Sequence, residues 1–430
     1  MSVMQVGKWA HGVALPPDWW VPKADGRTLD LNLSLGQIWD NGNGARPMAA
    51  LTVSRLSERR RVGPTGLIET VGSGRIARDF AVAGAARGLR IESETTNLSL
   101  RSGDLAHAAW SKGGATVATG ALAPDGVQTF GRVTENSAAG QHFISQDIGA
   151  LVIGDDLTIT AFVRATGIGS ARHVFLTAYG ESYAVFNPST GAIVSAPGVT
   201  ASVEIWSPGI YIIRCTVTKT NANGTIFLGL WNPSGNNSYT GDGVSCVDAW
   251  GLQPEKRGTP TSYMPTGAST AVRNADAVSL PFGAWGVQGA GTILAEAEFI
   301  AGGSAAAHGN VVQFDDGTDA NRILLRRNTD NHVYAYVLVA SAAVCALDLG
   351  TVTSGRKRIA FAYGTDDFRA IIAGGSVVSD TSGAVPTGVT SVRLGSNAGG
   401  TQSHNGWLGR VAYKPFAAAN SDLHAWVAAA

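Results

Sequence analysis

The chain has 430 residues, of which 55 are glycine and only 15% are charged, with Lys+Arg and Asp+Glu both at 32. An apolar fraction of 44% is ample for a packed core and excludes a disordered chain, while the even charge balance excludes the basic excess of a nucleic-acid binder. The glycines follow no collagen period, no heptad seam is visible, and no run of about 18 apolar residues exists to cross a membrane as a helix.

Many small residues and few charges suit an all-β chain with dense tight turns. Residues 1–90 stand apart from the rest. The first twenty residues do not read as a signal peptide, because their apolar stretch is short and broken by Pro16, Pro17, Trp19 and Trp20; synthesis in the cytoplasm is expected. Trp9, Trp19, Trp20 and Trp39 sit among Pro22 and the flexible run DNGNGARP, with few strand-like alternations. Such a segment packs either against another subunit or scaffold, or around its own neighbouring domain. The basic run RLSERRR, Arg55 to Arg61, is short and interrupted by Glu58, and reads as a solvated or subunit-contact segment.

Residues 91–270 read as strands throughout. LTITAFVRA alternates Ile159, Ala161 and Val163 against Thr158, Thr160 and Phe162, and YIIRCTVTK and GTIFLGLW do likewise. Turn clusters APDG, NPSTG, NANG and NPSGNN separate them, which predicts a jelly roll. Cys215 shares a strand face with Tyr211, Ile213 and Val217 and reads as a buried thiol; with Cys246 and Cys345 it forms no metal-binding spacing.

After a polar break near 265–276 the rhythm resumes over 271–430, in GTILAEAEFIA, NVVQFDDG, NRILLRRN, HVYAYVLVA, KRIAFAYG, FRAIIAGG, SVRLGS and WLGRVAYKPF. About eight short strands are enough for a second sandwich. One helix is expected at the end, SDLHAWVAA, with Ser421 as N-cap and Leu423, Trp426 and Val427 as its apolar stripe. The expectation is an all-β fold, two tandem β-sandwiches after a tryptophan-rich N-terminal segment.

Several short stretches carry a resemblance: GLRIESETTNL, the AAW at Ala108–Trp110, APDG, SYTGDGVSCVDAWGLQPE, TSYMPT and RNADAVSLP, in that order from Gly88 to Pro281. They resemble modules of tailed-phage fibre and spike proteins, similar in kind to carbohydrate-binding jelly rolls. Beyond Pro281 the chain resembles a concanavalin-A-like (laminin-G-like) jelly roll, ending in GWLGRVAYKPF and a short helix. The resemblance to phage tail fibres, head fibres and the head spikes of phage-like gene transfer agents implies a virion-surface protein. It implies binding to host cell-surface polysaccharide, assembly as a homotrimer, and attachment to a capsid or tail vertex protein through the N-terminal segment. No long shaft precedes the sandwiches, which favours a head or vertex spike. One departure is WSPGIYIIR, where Pro208 stiffens a turn and is expected to move Trp206 to the surface.

No nucleophile elbow, phosphate loop or HExxH helix is present. Glu296 and Glu298, two apart on one strand, put two carboxylates on one face, which is either a glycosidase pair or a solvated sheet face. That pair carries the alternative of a polysaccharide depolymerase; a structural particle decoration is the other. Asp315, Asp316 and Asp319 in FDDGTDANR are either Ca²⁺ ligands or an Asp-Gly turn; no other cofactor is expected.

Sugar recognition needs flat rings for CH faces and fixed donors and acceptors for hydroxyls. In the first sandwich the candidates are Tyr179 and Tyr183 in AYGESY, and Trp231, Asn236 and Asn237 in LWNPSGNNSY, together with Trp206; Tyr239, Trp250 and Trp110 read as structural. In the second, Tyr334 and Tyr336 share a face beside Arg322, Arg326 and His332, as a sugar platform or a half-buried sheet face. The loop SNAGGTQSHNGW, with Asn397, Gln402, His404 and Asn405, is the most lectin-like polar cluster, and Trp407 at its end reads as strand or core.

Overall fold

A computed structural model describes residues 25–300 and 308–428. Two tandem β-sandwiches account for nearly all of them, the ladders between their strands are antiparallel apart from one isolated parallel bridge of Asn310 to Ser403, and the α-helix among the described residues is Asn420–Ala428. The helix starts one residue before Ser421, which therefore lies inside its first turn; Leu423 is fully buried beneath it as expected, with Trp426 and Val427 packed alongside.

The first sandwich pairs one sheet of six strands, Ala115–Leu122, Thr129–Glu135, Cys246–Glu255, Asp156–Ala165, Ile210–Thr218 and Thr200–Ser207, with another of six running from Ser111–Gly113 to Ile193–Ser195. Ile159, Ala161 and Val163 point into the core between them, beside Ile213, Cys215 and Val217. The alternation holds, yet its other face is not solvated: Thr158, Thr160 and Phe162 are buried too. A hairpin of Arg59–Val62 and Ile68–Val71 covers that face, and Val62 and Ile68 pack on Phe130, Phe162, Trp206, Trp250 and Tyr263.

The second sandwich stacks a sheet centred on Gly291–Phe299 and Gly406–Lys414 against one running from Ala342–Thr351 through His332–Val339 and Arg322–Arg327 to Thr52–Val53. The described part of the N-terminal segment is built into these sheets and does not stand apart. Leu29–Asn32 pairs with Gly406–Lys414, Thr52–Val53 with Val278–Pro281, and Ala86–Ile91 with Gly406 to Leu408. Trp39 is buried there, at 4% exposure, while Trp9, Trp19 and Trp20 lie outside the described residues. Gly88 permits the last pairing: it has φ +120°, and a Cβ on it would stand 2.2 Å from the carbonyl oxygen of Leu408.

The basic run is only partly solvated: Leu56 and Glu58 are exposed, but two of its arginines are buried. Arg55 and Arg59 are 2% exposed at the junction of the two sandwiches. Arg55 donates to Asp276 at 2.7 Å, Arg59 to Asp276 and Glu92 at 2.5 Å each, and Arg273 to Glu92 at 2.9 Å. Glu92 also accepts from the backbone N–H and hydroxyl of Ser262, each at 2.7 Å. Burial opposes its charge, but the Arg273, Arg90 and Arg59 guanidiniums hold its carboxyl well below the usual carboxylate range. All three cysteines are free and buried, and burial pushes the Cys215 and Cys345 thiols up to about 12.

Candidate functional site

Strand His332–Val339 turns Val333, Ala335 and Val337 into the core, so His332, Tyr334 and Tyr336 face outward, half-buried. The Tyr334 and Tyr336 rings lie 5.1 Å apart and only 23° from parallel, and the His332 ring continues the row 6.3 Å from Tyr334 at 30°. Three flat rings at strand spacing make a strip. Arg326 comes from the neighbouring strand opposite Tyr334 and lays its guanidinium 4.5 Å over the Tyr336 ring. Its Nε donates to Asn328 Oδ1 at 2.8 Å, and Asn328 Nδ2 donates to the Tyr336 hydroxyl at 3.0 Å.

The other end of the strip is fixed by Asp348, which meets His332 Nδ1 at 2.9 Å, while His332 Nε2 lies 3.0 Å from the Thr351 hydroxyl. Burial opposes the charge on Asp348, but the Gly350 N–H and His332 hold its carboxyl below the usual range. Partial burial, with Asp348 and Asp330 nearby, raises the Tyr334 phenol, so it stays protonated as a donor. Arg322 sits on the same sheet face, donating to Asp319 at 3.0 Å and Gln313 at 3.3 Å, with its Nε unpartnered. Here five of the residues singled out from the sequence, Arg322, Arg326, His332, Tyr334 and Tyr336, are brought onto one face. Asn328 and Asp348 were missed; Asn328 opens the NTDN turn that the sequence shows, while Asp348 comes opposite Tyr334 through the next hairpin, which turns at Ala340 and Ser341.

Other candidates are placed differently. His404 is 1% exposed: its Nε2 donates to the carbonyl oxygen of Glu298 at 3.1 Å and its ring meets Phe299 edge to face at 5.0 Å. Asn405 Oδ1 accepts from the Ser93 N–H at 2.8 Å and from Arg257 at 3.2 Å, latching the loop to the first sandwich. Gln402 is half-buried, and its carbonyl takes the Asn310 N–H. The loop therefore folds inward and presents no lectin-like cluster, because its polar groups serve the junction; Asn397 goes to Asp319, at 2.7 Å.

Trp206 is buried, at 7% exposure, edge-on to Phe162, so the stiffened turn does not carry it to the surface: the hairpin covers its sheet face. Trp231 is buried at 8% against Phe175 and the Tyr183 ring, 4.9 Å away; Tyr179 is exposed, Asn236 exposed and Asn237 half-buried, none of them near the Tyr334 strip in the fold. Trp407 is core-like, at 3% exposure, as expected.

The acidic candidates are bound up by arginines. Glu296 accepts from Arg356 at 2.9 Å and Arg358 at 3.0 Å, and Glu298 from Arg356 at 3.1 Å and from Arg87. Neither is free to donate a proton to a glycosidic oxygen while those bonds stand. Asp315 is fully buried, bonded by Arg393, Gln313 and the Gly317 N–H, while Asp316 closes a turn on Thr318 and Asn321. Among the described residues no group of three or more His, Cys, Asp or Glu is placed to hold a metal.

No family model matches the chain, and no curated protein matches it. Among solved structures it is similar to the CBM22-1–CBM22-2 tandem domain of Xyn10C from Paenibacillus barcinonensis, at 10% identity and a TM-score of 0.25, over 75% of this chain and 97% of that one. It is also similar to the mouse laminin α1 LG4-5 domains, at 10% identity and a TM-score of 0.21, over 65% and 86% of the two chains. A third is Bacteroides ovatus xyloglucan PUL GH43B, at 10% identity and a TM-score of 0.21, over 88% and 91%. Likenesses this low carry no argument about function. The class this fold defines is an all-β protein of two tandem sandwiches with an aromatic strip on one outer sheet face.

Proposed function

We propose that this chain is a non-enzymatic glycan-binding protein. The observation that carries this reading is the Tyr334–Tyr336 pair, two half-exposed rings 5.1 Å apart and near-parallel, flanked by Arg326 and His332. Pyranose CH groups pack along the outward edges of this stacked row, and the Tyr334 hydroxyl, Arg322 and Asn328 supply donors for its hydroxyls. The strip is pre-ordered by its own hydrogen bonds, so little side-chain entropy is lost on binding.

The stretches from Gly88 to Pro281 that resemble phage fibre and spike modules support a finer version: a virion-surface spike that recognises host polysaccharide and promotes adsorption. In that version the chain is a homotrimer held to a capsid or tail vertex protein by its N-terminal residues, and weak single sites add up by avidity. The test is retention of the purified chain on encapsulated against acapsular host cells, with wild type and Tyr334→Ala/Tyr336→Ala. Capsule-dependent retention lost in the variant is expected; equal retention of both proteins, or none by wild type, overturns the reading.

A further inference from the structure

A cavity at the junction of the sandwiches lies apart from the Tyr334 strip. About 250 Å³ lies between the two sandwiches, walled by Arg87, Arg90, Glu204, Arg214, Glu298 and Trp407, with Pro260 and Phe299 as its apolar side. A smaller cavity of about 60 Å³ shares Arg87, Arg90, Glu204 and Arg214 with it and extends to Arg60, Arg61 and Thr160. Together they form one cleft lined by five arginines and three carboxylates, in a chain where only 15% of residues are charged.

The carboxylates are already satisfied. Glu204 accepts Arg87 at 3.0 Å on one oxygen and Arg214 at 2.8 Å on the other, Glu298 accepts Arg87 and Arg356, and Asp79 takes the Trp407 indole N–H at 2.8 Å. Donors are left over. The Nε of Arg214 and the Nε of Arg61 are buried without a partner, and so is the hydroxyl of Thr160, a residue 5% exposed. A buried polar hydrogen without an acceptor costs about 1–3 kcal/mol. Here three such donors belong to residues lining one cavity. Arg87 is held rigid by lying 3.4 Å over the centroid of the Trp407 ring, with Arg90 at 4.5 Å from the same centroid. The mouth is reachable, since the Glu204 side chain is 39% exposed and Arg87 is 22% exposed.

From this geometry we infer that the cleft between the sandwiches binds a carboxylate-bearing sugar unit of an acidic polysaccharide, through Arg214, Arg61 and Thr160. A guanidinium offers planar N–H donors that match a carboxylate, and three buried donors without an acceptor favour an anion over a neutral ring. The larger cavity takes a unit of monosaccharide size, with Pro260 and Phe299 against its CH face, while the shared Arg214 directs its carboxylate towards Arg61 and Thr160 in the smaller one. The inference rests on the glycan-binding reading for the sugar and assigns a second site, apart from the Tyr334 strip.

Isothermal titration of the full chain with a glucuronate-containing tetrasaccharide and a neutral glucose tetrasaccharide tests it. Wild type is expected to bind the acidic ligand about tenfold more tightly. Arg214→Gln and Thr160→Val are each expected to erase that margin and leave the neutral ligand unchanged. Thr160→Val replaces an unpartnered hydroxyl by a methyl of the same shape, so it keeps the fold even if Arg214→Gln does not. An acidic preference that survives Thr160→Val, or is absent in wild type, overturns the inference. Tyr334→Ala/Tyr336→Ala separates the two sites: loss of all binding only there refutes the cleft and keeps the strip. Acidic binding that persists there while neutral binding is lost keeps both sites, whereas neutral binding that also persists keeps the cleft and refutes the strip.

Discussion

His404 sets how the stability of this protein responds to mild acid. The ring is 1% exposed, its Nε2–H donates to the Glu298 carbonyl oxygen, and its Nδ1 has no partner. Burial, with the Arg327 guanidinium nearby, pushes its pKa down to about 3 from an ordinary 6.5. The folded protein therefore keeps His404 neutral at pH 5, whereas the unfolded chain takes up the proton. A proton bound only by the unfolded state costs stability as pH falls. The full contribution is present above pH 6.5, is lost progressively as pH drops towards 3, and stays level below that. With those two values the loss is about 0.8 kcal/mol at pH 6.0 and about 2 kcal/mol at pH 5.0, relative to neutral pH. Burial lowers the His173 and His308 pKa values in the same direction, so the term must be isolated by difference. Urea unfolding of wild type and His404→Gln at pH 7.5, 6.0 and 5.0 does this; glutamine retains a donor and does not titrate. Wild type should lose about 2 kcal/mol more than the variant between pH 7.5 and 5.0. Parallel profiles, within about 0.5 kcal/mol, would refute the buried neutral assignment.

Glu92→Gln should destabilise the chain by about 3–5 kcal/mol in urea unfolding, because it leaves three guanidiniums at the junction short of their counter-charge. A loss below about 1 kcal/mol would mean the network contributes little. Gly88→Ala should cost about 2 kcal/mol or more, since the added Cβ meets the Leu408 carbonyl and L-residues avoid φ +120°; an unchanged melting temperature would contradict the close strand approach. Tyr334→Ala should weaken glycan binding about tenfold with unfolding little changed, read by titration against capsule oligosaccharide. The three cysteines should resist a thiol reagent at pH 8 in the native chain and react fully in urea, with native labelling as the contrary result.

Strand existence was readable from the sequence because period-2 alternation is local. Ile159, Ala161 and Val163, and Val333, Ala335 and Val337, all face their cores as the pattern requires. What lies over the opposite face is not local information. The same alternation leaves Tyr334 and Tyr336 half-exposed and Phe162 covered, and the difference is a hairpin about a hundred positions earlier in the chain. The N-terminal strands show why that hairpin was not foreseen. Leu29–Asn32 is only four residues long and finds its partner in Gly406–Lys414, at the far end of the chain. A short strand carries little pattern of its own, and its register is fixed by the partner it joins.

The charged residues were misplaced for a related reason. A run such as RLSERRR reads as solvated because isolated charges are costly to bury, and that inference fails when counter-charges arrive from distant segments. Here Glu92 and Asp276, from before and after the first sandwich, meet Arg55 and Arg59 from the N-terminal segment and Arg273 from the connection. Three separated stretches are thereby tied by directional bonds at the point where the two sandwiches meet. Apolar burial alone would tolerate sliding between the sandwiches, whereas paired guanidinium forks fix distance and angle. The cleft walled by Arg87, Arg90 and Arg214 lies beside this network, with Arg90 a member of both through its 2.9 Å bond to Glu92. The arginines that set the relative placement of the sandwiches therefore also set the shape of the cavity between them, and loss of Glu92 should disturb both together.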